Sequence, residues 1–165
     1  MKIYLIGMMG SGKSTVGELL SDRLKIKFID LDSTVETNTQ KTVSEIFEQD
    51  GELHFRKLES KALENTIGID AVVACGGGII LDENNRYLLQ SSGKTIFLNS
   101  SISELAKRLE SANDRPLLAD KHIEKELEKI SSERINLYEE TAHLTINVNN
   151  RTPMEITNHI LDQLN

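Results

Sequence analysis

The chain has 165 residues, 38% of them hydrophobic and 27% charged, with one cysteine, two prolines and a formal charge of −7. That length suits one domain with its own core, and the adequate apolar content and mixed-sign charge exclude global disorder. An acidic chain is a poor generic binder of nucleic acid or anionic membrane, so an anionic ligand must meet a local cluster of cations.

Lys2–Gly7 is a short apolar run rich in β-formers. Lys2 ahead of that run resembles a secretion signal, but the run is short, is broken by Gly7 and is followed by Lys13. No stretch nears the roughly 20 apolar residues that span a bilayer. With Cys75 alone, no internal disulfide can form. A soluble cytoplasmic protein is the expectation. Val16–Leu24 carries Val16, Leu19, Leu20 and Leu24 at helical spacing. Lys27–Asp30 is a second strand. Thr42 with Glu45 forms a capping-box pattern, opening helix that runs to about Ile67 with a break near Gly51. Ala71–Cys75 is a third strand, ended by Gly76-Gly77-Gly78. Helix over Glu83–Gln90, strand over Thr95–Leu98, and helices over Ser101–Leu109 and Ile123–Tyr138 follow. Leu144–Val148 is the fifth strand. Thr152 with Pro153 opens a last helix, whose apolar face is Ile156, Ile160, Leu161 and Leu164.

Strands alternating with helices predict a single α/β domain with a mostly parallel sheet. Such folds bind ligands beyond the carboxyl ends of the strands, so the residues just after each strand carry the chemistry.

Gly7-Met8-Met9-Gly10-Ser11-Gly12-Lys13-Ser14 fits G-x-x-x-x-G-K-[ST] between a strand and a helix. Its glycines let backbone N–H groups turn toward phosphate oxygens, and the helix N-terminus adds positive potential. Lys13 can reach the β- and γ-phosphates, and the Ser14 hydroxyl can ligate Mg2+. The loop specifies a nucleotide, not a reaction. With no N-K-x-D base-reading motif and too few residues for most motor domains, a small-molecule kinase leads.

In Phe28-Ile29-Asp30-Leu31-Asp32, an extended backbone would point both carboxylates the same way, toward a hydrated metal or a hydroxyl proton. The bland alternative is a pair of turn or N-cap aspartates. Three consecutive glycines point to close approach of backbone to a ligand, or to a sharp turn. Arg115-Pro116 in the polar stretch 110–121 is a candidate lid, although the residues alone suit an exposed loop arginine. Arg56 and Arg134 lie in helical patterns, where solvated salt-bridging is usual. Cys75 reads as a small buried residue, and the four histidines as structural or surface groups.

The succession of phosphate loop, Asp-x-Asp, Phe55-Arg56, Gly76-Gly77-Gly78, Arg115-Pro116-Leu117-Leu118 and Arg134-x-x-x-Tyr138 resembles the shikimate kinase family over nearly the whole chain. The resemblance implies a three-layer α/β/α P-loop kinase of the nucleoside-monophosphate-kinase-like type, with five parallel strands in the order 2-3-1-4-5. A substrate-binding helical region would span about 32–60 and a lid about 110–122. It further implies transfer of the γ-phosphate of ATP to the 3-hydroxyl of shikimate, with Mg2+, by a monomer. Gly10, Ser11, Gly12, Lys13, Ser14 and Thr15 would hold the phosphates, and Ser14 and Asp30 the metal. Asp32 would hold the substrate hydroxyls and act as base, and Arg56 and Arg134 would bind the carboxylate. Gly76, Gly77 and Gly78 would present backbone to the ring. Arg115 would reach the phosphates from the lid, and Arg108, Arg151 and Pro153 would border adenine. Three positions depart from the family pattern: Cys75, Asn136 where many members have proline, and His143 where aspartate is frequent. None removes a catalytic group. A gluconate-type kinase and a catalytically silent nucleotide-binding module are the rival readings.

Overall fold

Strands β1 (Lys2–Ile6), β2 (Lys27–Asp30), β3 (Ala71–Ala74), β4 (Lys94–Asn99) and β5 (Leu144–Asn147) form one parallel sheet in the order β2-β3-β1-β4-β5. The structure is a computed structural model and describes residues 1–111 and 123–164. Ala74 of β3 stands opposite both Leu5 and Asp30, Ile6 opposite Phe97, and Asn99 opposite Asn147. The carboxyl ends of the strands therefore share one edge, and the loops that leave them share one rim.

Alternation along each strand sends side chains to two faces. Ile3, Leu5, Val72, Ile96, Leu98 and Ile146 pack on one face against Val16 and Leu20 of α1 (Lys13–Leu24) and Ile156 and Ile160 of α8 (Pro153–Leu164). On the other face, Tyr4, Ile6, Val73 and Phe97 meet α2 (Leu31–Thr39), α3 (Val43–Gln49), α4 (Glu52–Glu64), α5 (Glu83–Ser92), α6 (Ile102–Ser111) and α7 (Ile123–Thr141). The central strands are apolar on both faces because helices cover both. Leu20 and Ile160 are fully buried, and truncation of either to alanine would cost about 2–5 kcal/mol.

Local signals set the helix starts. Thr42 and Glu45 form the reciprocal capping box of α3. Gly51, with φ 86°, separates α3 from α4. The Asp82 carboxylate caps α5. The Thr152 hydroxyl accepts from the Glu155 N–H, and the Glu155 carboxylate accepts from the Thr152 N–H.

Two expectations need correction. The chain is not extended through Asp32: β2 ends at Asp30, α2 begins at Leu31, and the Asp30 carboxylate accepts the Ser33 N–H at 3.2 Å as its N-cap. Residues 31–39 read Leu-Asp-Ser-Thr-Val-Glu-Thr-Asn-Thr, mostly weak helix formers. Burial of Leu31 and Val35 against the sheet overrides that propensity. In addition, α6 runs through Ser111, so the first residues of the expected lid segment are helical. The rest of that segment, with Arg115, lies outside the described residues.

Candidate active site

Past β1 the chain turns through the phosphate loop into α1. Gly10 and Gly12 hold φ of 79° and 94°, backbone that a side chain would strain. Lys13 folds back over the loop and donates to the Gly7 and Met8 carbonyls, both at 2.9 Å. Ser11 is fully buried, and its hydroxyl has no hydrogen-bond partner among the described residues. Ser14 and Thr15 are exposed at the start of α1. The Ser14 hydroxyl donates to Asp30 Oδ2 at 2.6 Å, so the two residues expected at the metal are neighbours. A hydroxyl and a carboxylate are hard oxygen donors, which suits Mg2+ held by few protein ligands plus phosphates. Among the described residues no cluster of three or more His, Cys, Asp or Glu offers an all-protein metal site.

Arg108 spans the loop and its surroundings. Its Nη1 donates to the Gly10 and Ser11 carbonyls at 3.3 and 3.4 Å, and its Nη2 to the Val148 carbonyl at 3.2 Å and Glu104 at 3.4 Å. It thus ties the phosphate loop to α6 and to the end of β5. Arg151 and Pro153 lie exposed just beyond that strand end. Asn149 stitches the two neighbouring corners together by accepting from the Ser101 N–H at 2.9 Å and the Ser100 hydroxyl at 3.2 Å.

The triple glycine follows β3, next to the phosphate loop. A methyl group on Gly76 would overlap Glu59 Oε1 and lie 3.0 Å from Asp32 Oδ1. On Gly77 it would lie 3.5 Å from Arg134 Nη1, 3.5 Å from the Gly7 carbonyl and 3.6 Å from the Tyr138 hydroxyl. On Gly78 it would overlap the Arg56 guanidinium. Asp32 from α2, Arg56 and Glu59 from α4, and Arg134 and Tyr138 from α7 therefore converge on three successive residues. The glycines leave room for charged side chains of the chain itself.

Salt-bridging by Arg56 is not the solvated kind expected from the helical pattern. Arg56 Nη1 donates to Glu59 at 2.7 Å, and the Glu59 side chain is only 1% exposed. A weaker pair runs to Glu52 at 3.4 Å. The Phe55 and Phe47 rings lie 5.3 and 5.9 Å from the guanidinium carbon, within cation–π range. Burial pushes the Glu59 carboxyl above the usual carboxylate range, while Arg56 pulls it back and Asp32 adds to the rise. Glu59 Oε1, Arg56 Nε and Arg134 Nε are buried without a hydrogen-bond partner among the described residues. Tyr138 donates to the Gly77 carbonyl at 2.5 Å, and burial raises its phenol to about 12. Cys75 is buried and its thiol is pushed up by burial, in line with a structural role. His143 Nδ1 accepts the Thr95 N–H at 3.0 Å, joining the start of β5 to β4.

Glu59 was absent from the expected site, and Tyr138 was named there only within the Arg134-x-x-x-Tyr138 motif, with no role. The signal was spacing: Glu59 lies three residues beyond Arg56 and Tyr138 four beyond Arg134, each on the same face of its helix.

With this strand order, and a cluster of charged side chains beside the phosphate loop, the protein is a phosphate-loop kinase of the nucleoside-monophosphate-kinase-like class. The family model "Shikimate kinase" matches residues 9–165, and the chain belongs to the shikimate kinase family. A shikimate kinase of Sulfurihydrogenibium sp. is 40% identical over 163 residues, covering 98% of this chain and 96% of that protein. A shikimate kinase from Acinetobacter baumannii, solved in complex with shikimate, superposes with a TM-score of 0.93 at 35% identity, covering 99% of this chain and 92% of that one. A deoxyadenosine kinase from M. mycoides, 17% identical, superposes with a TM-score of 0.69 over 99% of this chain and 98% of its own, and shares the fold alone. Among the described residues no helix is long and apolar enough to cross a membrane.

Proposed function

We propose that this chain transfers the γ-phosphoryl group of ATP to the 3-hydroxyl of shikimate, giving shikimate 3-phosphate and ADP. The observation that carries the reading is the meeting of Asp32, Arg56 and Arg134 around Gly76–Gly78, beside the phosphate loop. Two guanidinium groups match a carboxylate bidentately, and an aspartate suits vicinal hydroxyls. The shikimate bound by the Acinetobacter baumannii relative supports the acceptor.

In this reading the amides of Gly10 to Thr15 cradle the phosphates. Lys13 turns from the Gly7 and Met8 carbonyls to the transferred group. Asp32 accepts the proton of the 3-hydroxyl as its oxygen bonds to the γ-phosphorus and the bond from that phosphorus to the bridging oxygen of ADP breaks. Ser14 and Asp30 would hold Mg2+, which when bound would neutralise phosphate charge. Arg115 would add a further cation at the phosphates, and Arg108, Arg151 and Pro153 would border adenine. Phosphoryl transfer depends on alignment and charge neutralisation, so these positioned cations are the catalytic apparatus. The protein acts as a cytoplasmic monomer.

The test is an ADP-release assay with shikimate, with and without Mg2+. Release that needs both is expected, as is its abolition in Lys13→Ala without loss of the folded state. Turnover of gluconate in place of shikimate would replace the acceptor. Binding of ATP·Mg2+ with no turnover would leave only a nucleotide holder.

A further inference from the structure

Tyr138 is fully buried, and its ring stacks on Phe97 with centroids 5.0 Å apart and planes at 18°. A phenylalanine would make that contact equally well, so the ring does not explain the hydroxyl. A buried hydroxyl is unfavourable unless its hydrogen-bonding capacity is used. Here it is used on the backbone of the site. The single O–H donates to the Gly77 carbonyl at 2.5 Å, so toward Arg134, one helical turn earlier on α7, the oxygen can only accept. Arg134 Nη1 lies beside the same residue: a methyl group on Gly77 would stand 3.5 Å from it and 3.6 Å from the Tyr138 hydroxyl. The phenol thus holds the backbone against which the Arg134 guanidinium packs.

We infer that Tyr138 is a positioning residue for the acceptor: its hydroxyl fixes the Gly77 backbone beside Arg134 Nη1, so that both arginines are seated against a preset backbone platform when they meet the substrate carboxylate. Arg134 alone would keep the rotational freedom of a long side chain, which binding would have to freeze. Gly77 precedes Gly78, whose Cα abuts Arg56, so the same hydroxyl steadies the platform of the second arginine. This inference rests on the proposed carboxylate role of Arg134.

The experiment compares wild type, Tyr138→Phe, Arg134→Ala and the double variant, varying shikimate and ATP separately and following urea unfolding. Tyr138→Phe keeps the stack on Phe97. It is expected to raise the shikimate KM about tenfold and to leave the ATP KM within about twofold. In the Arg134→Ala background the same substitution should change the shikimate KM by less than about twofold, because its target is gone. Equal losses for both substrates, full additivity in the double variant, or a change in stability with no change in shikimate KM would each overturn the inference. If Arg134→Ala itself leaves the shikimate KM unchanged, the underlying carboxylate assignment fails instead, and the two failures are told apart.

Discussion

Gly78 sits so close to Arg56 that a methyl group on its Cα would overlap the guanidinium. Its φ of −93° and ψ of 1° are open to any L-residue. Gly78→Ala is therefore a clean probe: the backbone tolerates it, and only Arg56 must move. We expect the shikimate KM to rise at least about tenfold, or about 1.4 kcal/mol, with the ATP KM and the urea midpoint little changed. Steady-state kinetics with each substrate varied in turn, beside urea unfolding, checks this.

Asp30 has two tasks, as N-cap of α2 and as partner of the Ser14 hydroxyl. Asparagine caps helices about as well as aspartate but brings no charge. Asp30→Asn should thus keep stability within about 0.5 kcal/mol while raising the Mg2+ concentration for half-maximal rate several-fold. A Mg2+ titration of the rate, paired with urea unfolding, separates the two tasks; an unchanged Mg2+ requirement would remove Asp30 from the metal.

Glu59 and Glu45 predict opposite pH responses. Burial raises the Glu59 carboxyl, so the unfolded chain ionises first as pH climbs from the ordinary glutamate value of 4.5. The stability Glu59 contributes is whole below that value and is lost as pH rises through its folded pKa. The backbone N–H of Thr42 lowers Glu45, so its contribution is whole above its ordinary value and is lost as pH falls through the lower folded one. Urea unfolding across pH, with Glu59→Gln and Glu45→Gln as references, should give wild-type-minus-variant differences of opposite slope. Parallel slopes would contradict the environment assigned to Glu59.

Arg108 donates to two carbonyls of the phosphate loop, which bears on more than the base. Arg108→Ala should weaken inorganic tripolyphosphate as well as ATP, each by about fivefold for the loss of charge-assisted bonds. Calorimetric titration of both ligands decides. A loss confined to ATP would restrict Arg108 to the adenine side.

Much of the fold was legible because its signals are local. Apolar runs marked all five strands within a residue or two, and the Thr42–Glu45 and Thr152–Pro153 pairs announced α3 and α8. From its own residues helix α2 was not legible, and only the resemblance placed 32–60 in a helical region: those residues favour turns and caps, and contact with the sheet makes them helical. For the same reason Asp32 was expected on an extended segment yet stands in the first turn of a helix.

By itself the sequence determined the phosphate loop, the parallel α/β order and the types of charged side chain available, because spacing and residue type fix those along the chain. Only the tertiary structure decided that Glu59 and Tyr138 join Asp32, Arg56 and Arg134 around three glycines. Those side chains come from three helices and acquire their burial, and with it the raised carboxyl of Glu59 and the paired hydroxyl of Tyr138, only when the helices close over the end of β3. A residue's distance from water is set by everything packed around it, and a linear order carries no measure of that.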